Sequence, residues 1–143
     1  MLNTIFFPGK IFVLDDCKIH QLKQLALKHP LRRSRMCLHN SREEFVQEMI
    51  IVAHKDSHFE EHKHPINKPE SYHVIEGELE VRIYSDVGQV TETILLSHKS
   101  SPRMYRIQGN VWHRPIVMSE WIIYHEVYTG PFDKDFDVTY KNW

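Results

Sequence analysis

His62 and His64 stand two apart, and Glu70 follows them across Pro65-Ile66-Asn67-Lys68-Pro69. In an extended segment that spacing puts both imidazoles on one face, because successive strand side chains point to opposite sides. Two imidazoles so placed can chelate a metal. Pro65 and Pro69 bracket the intervening loop, and their fixed φ angles restrict the backbone and hold the Glu70 carboxylate near the rings. Gly77 then supplies a turn. A fourth ligand is expected from elsewhere, and the best candidate is His113 in Gly109-Asn110-Val111-Trp112-His113, which follows a polar turn and begins an apolar segment. Neutral imidazoles with a carboxylate suit one divalent transition metal, Fe, Mn, Ni or Zn, and leave coordination positions for water or substrate. His73 differs. Three residues beyond Glu70 on a strand, it falls on the opposite face and is not expected to be a ligand.

The series His62, His64, Glu70, Gly77 resembles the first motif of the cupin superfamily, and His113 matches the histidine of the second. More narrowly, Arg35-Met36-Cys37-Leu38-His39, Gln47-Glu48-Met49, the block from Asn67 through Gly77, Trp112-His113, and His125-Glu126 through Gly130-Pro131-Phe132 together resemble the WbuC family of cupin-fold metalloproteins. The resemblance covers most of the chain after about residue 15. Two departures stand out: the gap between His64 and Glu70 holds five residues, more than the usual motif, and the second motif lacks its Pro-x-Gly. The resemblance implies a β barrel with a metal on His62, His64, Glu70 and His113. It also implies a context in bacterial surface-polysaccharide (lipopolysaccharide) biosynthesis and, as in many cupins, a homodimer. It singles out Arg35, whose guanidinium fork near a metal would suit a carboxylate or phosphate of a substrate, and His39 on the same ground.

The elements that must position these residues read mostly as strands. Residues 5–14 form a short strand interrupted by Pro8-Gly9, with a β-rich run at 11–14. Asp15 or Asp16 caps a helix whose apolar positions Ile19, Leu22, Leu25 and Ala26 recur at helical spacing, and His29-Pro30 ends it. Leu31-Arg32-Arg33-Ser34-Arg35 reads as a solvated basic loop before the first strand of the sheet. Residues 45–53 are an almost continuous apolar run after Gln47-Glu48 and read as a strand covered on both faces, with a helix over 42–51 as the alternative. Between 72 and 84 the period is two, with Leu79, Val81 and Ile83 alternating with Glu78, Glu80 and Arg82, and Glu76-Gly77 breaks the run into two strands of a meander. A turn at 86–89, a returning strand at 90–96, a loop at 98–102 and a strand at 103–107 follow. Many short strands without βαβ alternation predict an all-β, antiparallel jelly-roll (cupin) barrel with one N-terminal helix. Residues 1–40 pack on a barrel formed by 41–132, and 133–143 is a polar tail whose aromatics fold back on the body.

The segments 111–118 and 121–128 flank Ser119-Glu120, and a two-residue turn there would pair His113 with Glu126. Directly paired side chains share a face. If His113 points into the barrel, Glu126 and Tyr124 point in beside it, while His125 points out with Trp121 and Ile123, which would be available to a dimer interface. An odd-length loop would swap the assignment and bring His125 inside.

At 143 residues the chain fits one domain. Its 18 basic and 19 acidic side chains nearly cancel, leaving no electrostatic footprint for nucleic acid or an anionic membrane surface. The apolar opening Met1-Leu2-Asn3-Thr4-Ile5-Phe6-Phe7 is broken by Pro8, Gly9 and Lys10, and Asp15-Asp16 stand where a signal peptide needs a small-residue cleavage site. No apolar run approaches the ~20 residues of a membrane span. The expectation is a soluble, cytoplasmic protein with free thiols at Cys17 and Cys37, acting on a small-molecule ligand.

Three functions fit these residues. In a metal-dependent enzyme, an isomerase/epimerase or oxygenase on a small polar metabolite such as a sugar or nucleotide-sugar derivative, the ion polarises a carbonyl or activates water or dioxygen. Glu126, Tyr105 or Tyr72 would then move a proton, and Arg35, His39 and His125 would be candidates for holding substrate. In a non-catalytic module the same site binds a sugar-like or carboxylate metabolite without turnover. In a metal-free nucleotide-sugar isomerase/epimerase the histidines act as general bases.

Overall fold

The computed structural model describes residues 2–143; Met1, which opens the apolar stretch and the 1–40 segment, lies outside the described residues. Two sheets face one another. One runs, in spatial order, β1 (Thr4–Phe6), β2 (Arg33–Cys37), β3 (Val46–His54), β10 (Trp121–Thr129), β5 (Glu70–Glu76) and β8 (Met104–Ile107); the other runs β11 (Thr139–Tyr140), β4 (His62–Lys63), β9 (Trp112–Val117), β6 (Glu78–Tyr84) and β7 (Val90–Ser97). The pairs are antiparallel except β1 with β2. The period of two makes the barrel interior: Leu79 and Val81 from one sheet and Ile122 and Tyr124 from the other are buried in one cluster, while Glu78, Glu80 and Arg82 stay partly exposed between them.

The helix α1 (Asp16–Lys28) starts where Asp15 accepts the backbone N–H of Lys18 at 2.9 Å, and its last carbonyls receive the N–H of His29 before Pro30. Its stripe, with Leu22 and Ala26 fully buried, lies on the outer face of the first sheet, over Met36, Ile50, Val52 and Ile123. The helix therefore covers Ile123 completely and half-buries Trp121. Neither residue forms the free apolar patch expected for a dimer.

Four expectations need correction. Residues 11–14 form no strand. β2 already has a partner on each edge, and Ile11 and Val13 are exposed while Phe12 and Leu14 drop onto the core under the helix. The basic run is not a loop: Arg33 and Arg35 sit in β2, with Ser34 buried between them and bonded to Leu22 O at 2.7 Å. β5 and β6 are not neighbours in a meander but belong to different sheets. Gly77, at φ +92°, turns the chain from one sheet to the other where a Cβ would lie 2.1 Å from Trp121 O, so glycine is required there. The segments around Ser119-Glu120 are likewise not a hairpin, because β9 pairs with β4 and β6 and β10 pairs with β3 and β5. Both chain crossings exchange a local pairing for two long-range ones, which let the two sheets close over a shared interior.

The tail folds back further than its polarity suggests. A one-turn helix α2 (Lys134–Asp137) is followed by β11, which pairs Tyr140 with His62, and Trp143 lies against Trp112 at 4.7 Å between ring centres.

Candidate metal centre

β4 is only two residues long, yet it has a partner on both sides: His113 of β9 opposite His62, and Thr139-Tyr140 of β11. That pairing directs His62 toward His113, with ring centres 4.4 Å apart, and His64 stands 5.5 Å from the same ring. Glu70 opens β5 in the opposite sheet. The loop between His64 and Glu70 is tied by Lys68 N–H to Pro65 O at 2.9 Å and by Asn110 N–H to His64 O at 2.7 Å. It passes so close to Gly109 that a Cβ there would lie 1.8 Å from Pro65 O. The longer gap in the motif thus still delivers the carboxylate. Donor atoms of His62, His64, Glu70 and His113 all lie within 4.8 Å of one another.

The protonation pattern of this group follows from its partners. Nδ1 of His62 lies 2.9 Å from Glu60 O, Nδ1 of His64 lies 2.7 Å from Asp137 O, and Nδ1 of His113 lies 2.9 Å from Val111 O. A carbonyl only accepts, so each Nδ1 carries a proton, and Nε2 is left as the nitrogen that faces the group and would ligate a metal. Fixing the tautomer from behind in this way is how proteins orient metal-binding imidazoles. Glu70 is almost fully buried, with Oε1 2.7 Å from His113 Nε2 and Oε2 3.1 Å from His64 Nε2. The second contact lacks hydrogen-bond geometry, and both of its atoms are buried without a partner. Buried polar atoms need a partner, and these two converge with the Nε2 atoms of His62 and His113, so the residues present fit a divalent ion.

Electrostatics divide the rings: burial opposes the charged form of His64, but the Glu70 carboxylate and the Asp137 carbonyl outweigh it and raise its pKa. Burial first, and then the neighbouring His113, push His62 down to about 4, which keeps it neutral and able to ligate. Burial opposes ionisation of Glu70, but His113 and His64 outweigh it and hold the carboxylate well below its usual range.

The other expected site residues divide by strand parity. Glu126 and Tyr124 of β10 face inward, and Tyr72 sits opposite Glu126 on β5. They line a cavity of about 400 Å³ with His62, His64, Arg33, Arg35, His39 and Gln47. Burial and then the adjacent Glu70 carboxylate push Glu126 up to about 8, with Arg35 pulling the other way. Burial raises the Tyr72 phenol well above its usual range and keeps it a neutral donor. His39 is buried, and its Nδ1 accepts the N–H of Glu48 at 3.1 Å. Among the described residues Arg35 makes no ion pair, and its guanidinium contact is Met49 Sδ at 3.9 Å. Two candidates are not brought to the cavity. Tyr105 lies behind Tyr72, edge-to-face at 5.0 Å, with its hydroxyl buried and unpartnered. His125 is on the outer face, 3.1 Å from Glu48 and 3.3 Å from His73. Glu126 faces in for a reason other than the expected hairpin: its neighbours are Met49 and Tyr72, and His113 is in the other sheet.

Sequence reading missed Arg33, which also lines the cavity with its guanidinium 4.1 Å from the Phe59 ring, and the buried Asp137. The Asp137 carboxylate meets Lys68 Nζ at 2.9 Å and accepts Asp133 N–H at 3.0 Å, while its carbonyl holds His64. Lys68 also donates to Pro131 O. The aromatic character of the tail was the available signal; a backbone carbonyl acting on a histidine leaves none.

Residues 14–96, more than half of the chain, match a family described as a domain of unknown function (DUF6016). No curated protein matches the chain. Solved structures share its architecture at low identity. CapF bound to the inhibitor 3-isopropenyl-tropolone is 13% identical with a TM-score of 0.66 over 81% of this chain and 33% of that one. A conserved protein with a double-stranded β-helix domain from Klebsiella pneumoniae is 14% identical with a TM-score of 0.58, over 78% and 80%. An oxalate decarboxylase with Mn(II) centres from Bacillus subtilis is 13% identical with a TM-score of 0.53, over 68% of this chain and 24% of that one. The chain thus spans about a quarter of the oxalate decarboxylase chains it matches. These likenesses show the fold, a double-stranded β-helix or cupin barrel.

Proposed function

This chain belongs to the DUF6016 family, whose description names no activity, and from its site we propose a metal-dependent enzyme that acts on a small, anionic, polar metabolite. The observation that carries this reading is the set of three imidazoles, each pinned at Nδ1 by a carbonyl, converging with Glu70 beneath an open cavity. His62, His64, Glu70 and His113 hold one divalent transition ion. Fe, Mn, Ni and Zn all accept such a mixed nitrogen and oxygen set, and the Mn(II) centres of the fold neighbour from Bacillus subtilis favour including Mn. When bound, the ion supplies Lewis-acid polarisation of a carbonyl or hydroxyl, or activation of water or dioxygen.

The remaining roles belong to the chain. Arg35, half-buried and without an ion pair among the described residues, anchors a carboxylate or phosphate of the substrate. Glu126 lies beside the ligand set and moves a proton to or from the bound metabolite. Tyr72 stays protonated and donates a hydrogen bond. About 400 Å³ admits a sugar derivative or small acid. The resemblance of the sequence to the WbuC cupins supports a sugar derivative of surface-polysaccharide biosynthesis as the substrate class.

Elemental analysis of protein purified without a histidine tag is the first test, alongside His62→Ala and His113→Ala. We expect one equivalent of a divalent transition metal in the parent and loss of it in both variants, with the β-sheet circular dichroism unchanged. A parent that takes up none of Fe, Mn, Ni or Zn on reconstitution would sink the proposal.

A further inference from the structure

On the outer face of the first sheet, beyond the edge of α1, three adjacent strands carry a row of metal-binding side chains. His125 of β10 is directly opposite His73 of β5, and His73 is directly opposite Met104 of β8. Paired residues share a face, so all three stand together on the side away from the cavity. Nδ1 of His125 and Nδ1 of His73 are 3.3 Å apart. Glu48 of β3 completes the arrangement, with Oε1 3.1 Å from Nε2 of His125. The carboxylate accepts only, so Nε2 of His125 carries a proton and its Nδ1 is the nitrogen that faces His73.

From this row we infer a second transition-metal site, with His73 and His125 as the nitrogen ligands, Met104 as a soft third ligand, and copper as the metal it takes. Two metal–nitrogen bonds of about 2.0–2.1 Å, meeting at an angle between a right angle and the tetrahedral value, separate their nitrogens by about 3 Å. The observed gap between the two Nδ1 atoms is of that size. Glu48 acts as the carboxylate behind a ligating histidine, fixing its tautomer and raising its basicity. Imidazole favours Cu(II) over the other divalent first-row ions, and a thioether favours Cu(I). The row is open to solvent: the Met104 side of it is 49% exposed and the His125 side chain 25% exposed. A metal can therefore enter without moving the fold. The site shares no residue with the inner group and stands or falls separately from it.

Copper(II) chloride titrated into the untagged parent, followed by electron paramagnetic resonance, tests the inference. The double variant His62→Ala/His113→Ala, which disables the inner group, is expected to bind one equivalent with hyperfine coupling to two nitrogens. His73→Ala or His125→Ala added to it should abolish that signal, and Glu48→Gln should weaken binding about 10–100-fold. Should the double variant not fold, stoichiometry answers the same question: two equivalents in the parent, one in His73→Ala/His125→Ala. A single equivalent in the parent, or a second one indifferent to both outer histidines, overturns the site. After reduction with ascorbate, Cu(I) should remain on the parent and be released by Met104→Leu. Equal retention would remove the thioether from the ligand set.

Discussion

Glu126 and His125 are joined by one peptide bond and live in different chemistry. Glu126 is enclosed, beside a second carboxylate, and is pushed up to about 8; His125 is half-exposed on the far side of the same sheet. The contrast extends to the histidine groups on either side. Inside, three rings are held by backbone carbonyls, two in the loops that lead into β4 and β9 and one in α2. Outside, one ring is held by the Glu48 side chain, which is itself 42% exposed. A donor set oriented by backbone is organised before its ligand arrives, while one oriented by an exposed side chain loses entropy on binding. On the proposed reading the same residue type is expected to make a tighter buried site and a weaker exposed one, and what separates them is what each imidazole leans on.

The largest expected effect falls inside. His113→Ala removes a ligand that nothing else can replace, and bound metal should fall to background in elemental analysis while His125→Ala leaves it unchanged. Equal losses in the two variants would erase the distinction between the faces. Next comes Glu126→Gln, which keeps shape and removes the titrating proton. With a substrate in hand, turnover should drop about 10²–10⁴-fold at unchanged metal content; full activity would take Glu126 out of the chemistry.

Asp137→Asn sharpens the comparison further, because it spares the carbonyl that holds His64 but breaks the pairing with Lys68 that anchors that carbonyl. A 10–100-fold weaker inner metal affinity, measured by chelator competition, is expected, and an unchanged affinity would mean the tail does not position the site. The smallest effect concerns the thiols. Cys17 is exposed, whereas Cys37 is buried and burial raises its pKa. A thiol reagent at neutral pH should therefore label one cysteine in the native protein and two after unfolding.

Much of the fold was legible because its signals are local. Asp15 before an apolar stripe, Leu79 and Val81 between charged neighbours, and Gly77 after a strand each depend on a few contiguous residues. The two errors of pairing arose at Glu76-Gly77 and Ser119-Glu120, where short turns imitate hairpins. Turn chemistry says that the chain reverses; it does not say which strand receives it. Strand parity kept Glu126 on the face of Ile122 and Tyr124 and opposite His125, and burial of those two residues in the interior turned that face inward.

By itself the sequence determined the spacing of His62 and His64, the alternation that separates inside from outside, and the helix with its cap, since each is a property of one short segment. Only the tertiary structure decided that Glu70 and His113 arrive at the same point, that Asp137 reaches back across the chain to hold His64, and that His125 meets His73 outside instead of substrate inside. Those outcomes rest on which sheet each strand enters, and that choice is made by burial summed over the whole barrel, which no local run of residues encodes.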